Sequence, residues 1–233
     1  VLYNPDAVFY TMPLGLLAVA SVLDAKKYDV VIVDARLEPD VDGRLRRELP
    51  GALLLGITVL TGAPIRDALR VSRFAKSLRS DLPVVWGGWH PSLFPTKTLE
   101  ADCVDVTVQG QGESSLPEIS RRLESGESLE GIPGTCFREG DHVIQNPPRA
   151  LEDMNSFPVH RYELIDVERY MELKSFRQLD YVGSTGCNFR CNFCADPFVF
   201  DRKWSGLEPK RMGEELEALW RRYSFQELAF QDE

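Results

Sequence analysis

The feature that most limits how this chain can fold is a series of short segments that are apolar along their whole length. Asp29-Val-Val-Ile-Val-Asp34, Leu53 to Val59 and Pro83-Val-Val-Trp86 lack the alternation of a half-exposed strand, and Val104 to Val108 reads as a further strand. Strands that are apolar on both sides need cover on both sides. The intervening segments supply it. Leu14 to Lys27 reads as a helix, with Pro13 at its start, where a missing N–H costs little. Val41 to Leu49 and Pro95 to Ala101 read as short helices. Pro64 to Leu78 has apolar residues at Ile65, Ala68, Leu69, Phe74, Ala75 and Leu78, which is helical spacing. Ser114 to Leu123 reads as a helix with Ser114 or Ser115 as its cap. With Val1 to Tyr3 as a further strand, the pattern is α/β: a parallel sheet with helices on both faces.

Ligands of such sheets bind at the carboxyl ends of the strands. Here those ends carry Asn4-Pro5, Thr58 to Gly62, Gly87 to His90 and Gly110 to Glu113. Any one of these glycines reads as a tight turn. Three small-residue loops on one edge read as a site that lets a bulky ligand approach the backbone. His90, between Trp89 and Pro91, is either a ligand or a residue that shapes its loop. His142 and His160 read as solvated.

Residues 134 to 146 look like a hairpin with its turn at Glu139-Gly-Asp141, and Pro147-Pro148 begins a linker that runs to about Met171. Gln178 to Gly183 reads as a strand. Glu214 to Tyr223 is an amphipathic helix with Leu216, Leu219, Trp220 and Tyr223 on one side. Glu227 to Glu233 reads as a last strand. Strand, loop, helix, strand is the opening of a parallel β/α barrel. The loop is Gly183-Ser-Thr-Gly-Cys-Asn-Phe-Arg-Cys-Asn-Phe-Cys194, with the spacing C-x3-C-x2-C. Three thiolates there can hold three irons of a four-iron cluster and leave the fourth iron open, whereas a closed cluster needs four. A three-cysteine zinc site is the alternative and lacks a fourth ligand; the nearest histidine, His160, is well upstream. Cys103 and Cys136 lie far from the loop.

This run resembles the radical S-adenosylmethionine (radical SAM) signature, C-x3-C-x-aromatic-C. The resemblance implies a 4Fe-4S cluster held by Cys187, Cys191 and Cys194, with SAM on the open iron and cleaved to a 5'-deoxyadenosyl radical. It implies Phe193 near the SAM adenine, and Asp232 and Glu233 offering polar groups to the SAM amino group. The first region adds Pro13-Leu-Gly-Leu-Leu17, Tyr28 to Asp34, Gly56-Ile-Thr58, Gly87-Gly-Trp-His-Pro91 and Gly110-Gln-Gly-Glu113. Together with the cysteine loop these resemble the cobalamin-binding class of radical SAM proteins. That class implies a Rossmann-like (flavodoxin-like) cobalamin-binding domain over 1–130, a hairpin and linker over 131–172, and the start of a radical SAM β/α barrel over 173–233. Cobalamin contacts are then expected from Thr58, Gly62, Gly87, Gly88, His90, Gly110, Gly112 and Glu113. Many cobalamin domains supply a cobalt histidine from D-x-H-x-x-G. This chain has none, and Asp34-Ala-Arg36 carries arginine instead; the class commonly binds cobalamin without it.

The implied activity is functionalisation of an unactivated carbon, first of all by methyl transfer, with oxidative cyclisation as the alternative in the same family. A non-catalytic iron–sulfur electron carrier is the alternative from another class, but a pure carrier gains nothing from an open iron. The expected partners are a small-molecule or natural-product substrate and an electron donor such as flavodoxin or ferredoxin. Net charge is −9 over 233 residues, which argues against a general nucleic-acid binder. The longest apolar stretches, such as Leu14 to Leu23, are too short to span a bilayer, and no signal peptide is evident. Five cysteines, three of them clustered, suit a reducing cytoplasm. Strand-like segments at both ends suggest a fragment of a longer protein.

Overall fold

The computed structural model describes residues 1–140 and 142–232. Asp141 of the expected hairpin turn and Glu233, expected beside SAM, lie outside the described residues. The first region alternates as follows: β1 (Leu2–Asn4), α1 (Leu14–Ser21), β2 (Ile32–Asp34), α2 (Val41–Glu48), β3 (Leu55–Thr58), α3 (Pro64–Leu78), β4 (Val84–Gly87), α4 (Trp89–Leu93), α5 (Pro95–Thr98), β5 (Val106–Val108) and α6 (Ser115–Ser125). The hairpin follows as β6 (Thr135–Glu139) and β7 (His142–Gln145). Then come α7 (Val167–Lys174), β8 (Gln178–Tyr181), β9 (Ser184–Gly186), α8 (Asp196–Val199), β10 (Trp204–Gly206), α9 (Pro209–Tyr223) and β11 (Glu227–Phe230).

The main sheet has the order β2-β1-β3-β4-β5-β6-β7. Its strands run parallel from β2 to β5, as the two-sided apolar segments require. Successive side chains point to opposite faces and feed two cores. Tyr3, Val33, Leu55, Ile57, Val84 and Trp86 meet α2 and α3 on one face. Leu2, Val85, Val106 and Val108 meet α1 and α6 on the other. The hairpin is not free-standing: β6 pairs antiparallel with β5 and covers an edge of the sheet. Among the described residues no helix is long and apolar enough to cross a membrane.

Several elements differ from the sequence reading for local reasons. α1 stops at Ser21, six residues before Lys27, where the Ser21 hydroxyl bonds back to the Leu17 carbonyl. Asp24 then captures the Lys26 N–H at 2.9 Å and turns the chain. The serine cap of α6 is not used. Ser114 already has helical backbone angles, and its Oγ donates to Glu152 Oε2 at 2.5 Å, a charge-assisted bond that directs the hydroxyl to the linker. The expected linker holds a helix, α7, capped by Asp166, which accepts the Arg169 N–H at 3.0 Å. Its Val167, Tyr170 and Met171 are buried against Met12, Leu14 and Leu17 of the first region and Leu179, Tyr181 and Leu219 of the last. α9 begins at Pro209, earlier than its apolar stripe, with proline in the first turn. β8 and β11 pair in parallel, and β9 and β10 form a small antiparallel ladder beside the cysteines.

Candidate functional site

The carboxyl ends of β3, β4 and β5 border a cavity of about 210 Å³. Its other walls are Gly15 and Val19 of α1, and Thr185 and Phe200 from the segment that carries the cysteines. Thr58, Gly87, Gly88, Gly110, Gly112 and Glu113 all line it. The glycines do different things. Gly88 has φ of +92°, and a Cβ there would lie 3.0 Å from the Val59 N atom, so the turn itself demands glycine. Gly87 has no such need: a Cβ there would meet nothing within 4 Å, and a side chain would take up cavity space. A Cβ at Gly112 would approach Val19 Cγ1 to 2.9 Å and press on α1.

A larger cavity of about 460 Å³ lies between this sheet edge and the C-terminal region. Its ionisable lining groups among the described residues are Arg36, Glu113 and His160. Arg36 is committed to structure. Its guanidinium donates to Asp34 Oδ1 at 2.9 Å, to Asp34 Oδ2 at 2.6 Å, to the Phe9 carbonyl at 2.5 Å and to the Thr11 carbonyl at 2.7 Å. Burial pushes the Glu113 carboxyl up, toward its neutral form. His160 is half-buried in the cavity wall, not solvated as its linker position suggests. Burial pushes it down to about 4, with Glu215 opposing and Arg211 adding to the shift, so the ring is neutral at pH 7. His142 is exposed on β7.

Two residues expected to contact cobalamin, Gly62 and His90, lie outside the linings of both cavities. Gly62 is exposed. His90 faces away. Its N–H donates to the Val59 carbonyl at 2.9 Å, its Nδ1 lies 3.3 Å from Thr61 Oγ1, and its ring tilts against Phe94. Trp89, one residue earlier, lines the larger cavity instead. Sequence reasoning missed Trp89, Gln111, Thr185 and Phe200. It could have found Gly15 and Ala18, small residues three apart in a leucine-rich helix, which leave room on one side.

The cysteine loop leaves β9 and returns through α8 to β10. Cys187 and Cys194 are half-buried, Cys191 is exposed, and all three thiols are free. The Cys194 N–H donates to the Cys191 carbonyl at 3.2 Å. Among the described residues no three His, Cys, Asp or Glu side chains converge on a metal position. The donor set nonetheless suits an iron–sulfur cluster: three unpaired thiols within eight residues of irregular backbone that can close around one. Phe193 is 89% exposed. Asp232 accepts the Gly183 N–H at 2.7 Å and the Ser184 hydroxyl at 3.0 Å, so it holds the start of the loop. Cys103 and Cys136 are buried in the first core.

Comparison with known proteins agrees with this geometry. Residues 4–120 match the B12 binding domain. The chain is 32% identical over 227 residues to an uncharacterized methyltransferase of Pyrococcus horikoshii, covering 95% of this chain and 48% of that protein. It is 28% identical over 228 residues to the anaerobic magnesium-protoporphyrin IX monomethyl ester cyclase of Synechocystis, covering 95% of this chain and 45% of that protein. The chain thus spans about half the length of the curated relatives it matches. Its fold superposes on the radical S-adenosylmethionine methyltransferase TsrM from Kitasatospora setae with a TM-score of 0.83 at 20% identity, over 99% of this chain and 47% of that one. A parallel sheet whose carboxyl edge opens on a glycine-lined cavity, and a family match over residues 4–120, lead to one conclusion: this chain belongs to the B12-binding domain family.

Proposed function

We propose that this chain is the cobalamin-binding and cluster-binding portion of a cobalamin-dependent radical SAM enzyme whose reaction is methyl transfer to a carbon of a small-molecule substrate. The observation that carries the reading is a juxtaposition. The glycine-lined cavity is bordered by Thr185, two residues before Cys187. When bound, the cluster would supply the electron that cleaves SAM, and cobalamin would carry the methyl group.

The chain's own residues bind, orient and exclude water. Gly87, Gly110 and Gly112 leave the space and Thr58 and Glu113 the polar contacts for cobalamin. Cys187, Cys191 and Cys194 hold the cluster, Phe193 offers its ring to SAM, and Asp232 orders the loop. His90 and Gly62 shape the sheet edge. The functional division is 1–130 for cobalamin, 131–172 for hairpin and linker, and 173–233 for the start of the barrel. A reductant such as flavodoxin or ferredoxin delivers the electron, in the cytoplasm.

The test uses the anaerobically reconstituted full-length protein with SAM and reductant. It should hold one four-iron cluster and release 5'-deoxyadenosine and S-adenosylhomocysteine. Alanine at Cys187, Cys191 or Cys194 should abolish iron, and alanine at Cys103 or Cys136 should not. Iron retained in all three single variants, or no 5'-deoxyadenosine from the loaded protein, would sink the reading. Turnover without S-adenosylhomocysteine would favour cyclisation, as the similarity to the Synechocystis cyclase allows.

A further inference from the structure

The glycine cavity is not closed by the matched domain alone. Phe200, eighty residues beyond the end of that match, forms part of its wall. The ring of Phe200 meets Trp89 edge-on, with centroids 6.3 Å apart and planes at 88°. Beside it, a Cβ at Gly110 would lie 3.5 Å from the Val199 carbonyl oxygen. The same phenylalanine presses on the cysteine loop. A Cβ at Gly186 would come within 3.3 Å of Phe200 Cβ and 2.2 Å of the Lys203 carbonyl oxygen. Gly186 is the residue before Cys187. The turn after Phe200 is held in an unfavourable conformation: Asp201 and Arg202 have φ of 50° and 54°. Left-handed backbone is disfavoured for a non-glycine residue, and it persists where the surroundings over-determine it. Phe200 therefore has one side on the cavity and the other on the residue adjoining the first thiol.

We propose that Phe200 is a positioning residue that couples the two cofactor sites: it completes the cobalamin cavity only when the cysteine segment is in place, so that cobalamin affinity depends on the cluster. This rests on reading the glycine cavity as cobalamin's. By linkage the dependence is reciprocal, and bound cobalamin strengthens cluster retention by the same factor.

The experiment titrates the full-length protein with hydroxocobalamin, read by absorbance, in cluster-loaded and iron-free forms. The loaded wild type should bind roughly tenfold tighter than the iron-free form, within the usual range of coupling between sites. Phe200→Ala should bind roughly tenfold more weakly than the loaded wild type, as loss of a half-buried aromatic wall implies, and its two forms should titrate alike. Its iron content should stay at the wild-type level, because no thiol is touched. Phe200→Leu should restore most of the affinity. A folded Phe200→Ala protein with full iron and an unchanged loaded-to-free ratio overturns the proposal, as does a wild type that binds equally in both forms. Should Phe200→Ala fail to fold, Trp89→Leu removes its aromatic partner from outside the cysteine segment; that ratio should also shrink, and an unchanged one overturns the proposal equally. A wild type that takes up no cobalamin in either form sinks the cobalamin reading instead.

Discussion

At the scale of single residues, neighbouring glycines of the site carry unlike burdens. Gly87 has open space where a Cβ would go and no left-handed backbone. Gly87→Leu should therefore weaken cobalamin binding by more than about tenfold, by filling cavity space, and leave the melting temperature nearly unchanged. Gly88, at φ +92° and 3.0 Å from the Val59 backbone, should answer differently. Gly88→Leu should cost at least about 1–2 kcal/mol of stability before any effect on ligand is felt. Paired denaturation and cobalamin titration separate the two; equal stability losses would refute the distinction. Both glycines are legible in the sequence as a Gly-Gly turn after an apolar strand. Which one guards space and which one makes the turn depends on where Val59 comes back across the loop, and no local pattern encodes that.

At the scale of elements, the loop between β1 and α1 is fastened by a buried cluster. Asp34 ends β2, and Arg36, two residues on, reaches the carbonyls of Phe9 and Thr11. Asn4 donates to Asp34 at 2.8 Å, and the Tyr170 hydroxyl of α7 donates to the same carboxylate. Burial alone would raise the Asp34 carboxyl, but the Arg36 hydrogen bonds and charge outweigh it, and the carboxyl sits below its usual range. Arg36 and Asp34 side chains are each only 5% exposed. Asp34→Ala would strand a buried guanidinium and should cost about 3 kcal/mol or more in urea unfolding. Tyr170→Phe should cost only about 1 kcal/mol. Since the folded carboxyl titrates lower than the unfolded one, its contribution is full above pH 3.8 and is lost as pH falls further. Strands and long helices such as α3 are readable because their cues are periodic. α7 is hidden, although Asp166 and the spacing of Val167, Tyr170 and Met171 are there to see, because its short apolar face makes sense only against α1 and β8.

At the scale of the whole molecule, acid should loosen the chain through His160. Its ring titrates at about 4 when folded and at 6.5 when solvated in the unfolded chain. Between those values the unfolded chain binds a proton that the folded chain refuses, so stability should fall as pH drops through that window. Glu113, pushed up by burial, acts in the opposite sense above its unfolded value of 4.5. The measurement is therefore a comparison of melting temperature against pH for wild type and His160→Gln, in which Glu113 cancels. The variant should show a shallower loss between pH 6.5 and pH 4; parallel curves would show that His160 is not the group that titrates. In the sequence His160 reads as solvated because nothing within the linker announces that Glu113, Met154 and Arg211 converge on the same small space.

The bonds that join the beginning of the chain to its end bear on how such proteins can be recombined. The Met12 N–H reaches the carboxylate of buried Asp180 at 2.8 Å, and the Arg161 N–H reaches the Ser21 hydroxyl at 2.8 Å. A chimera cut near residue 120, where the matched domain ends, would sever no covalent logic but would leave each of these donors facing a foreign surface. The unit that can be exchanged between relatives runs past that point: the β1–α1 loop travels with α7 and β8, or it does not travel intact.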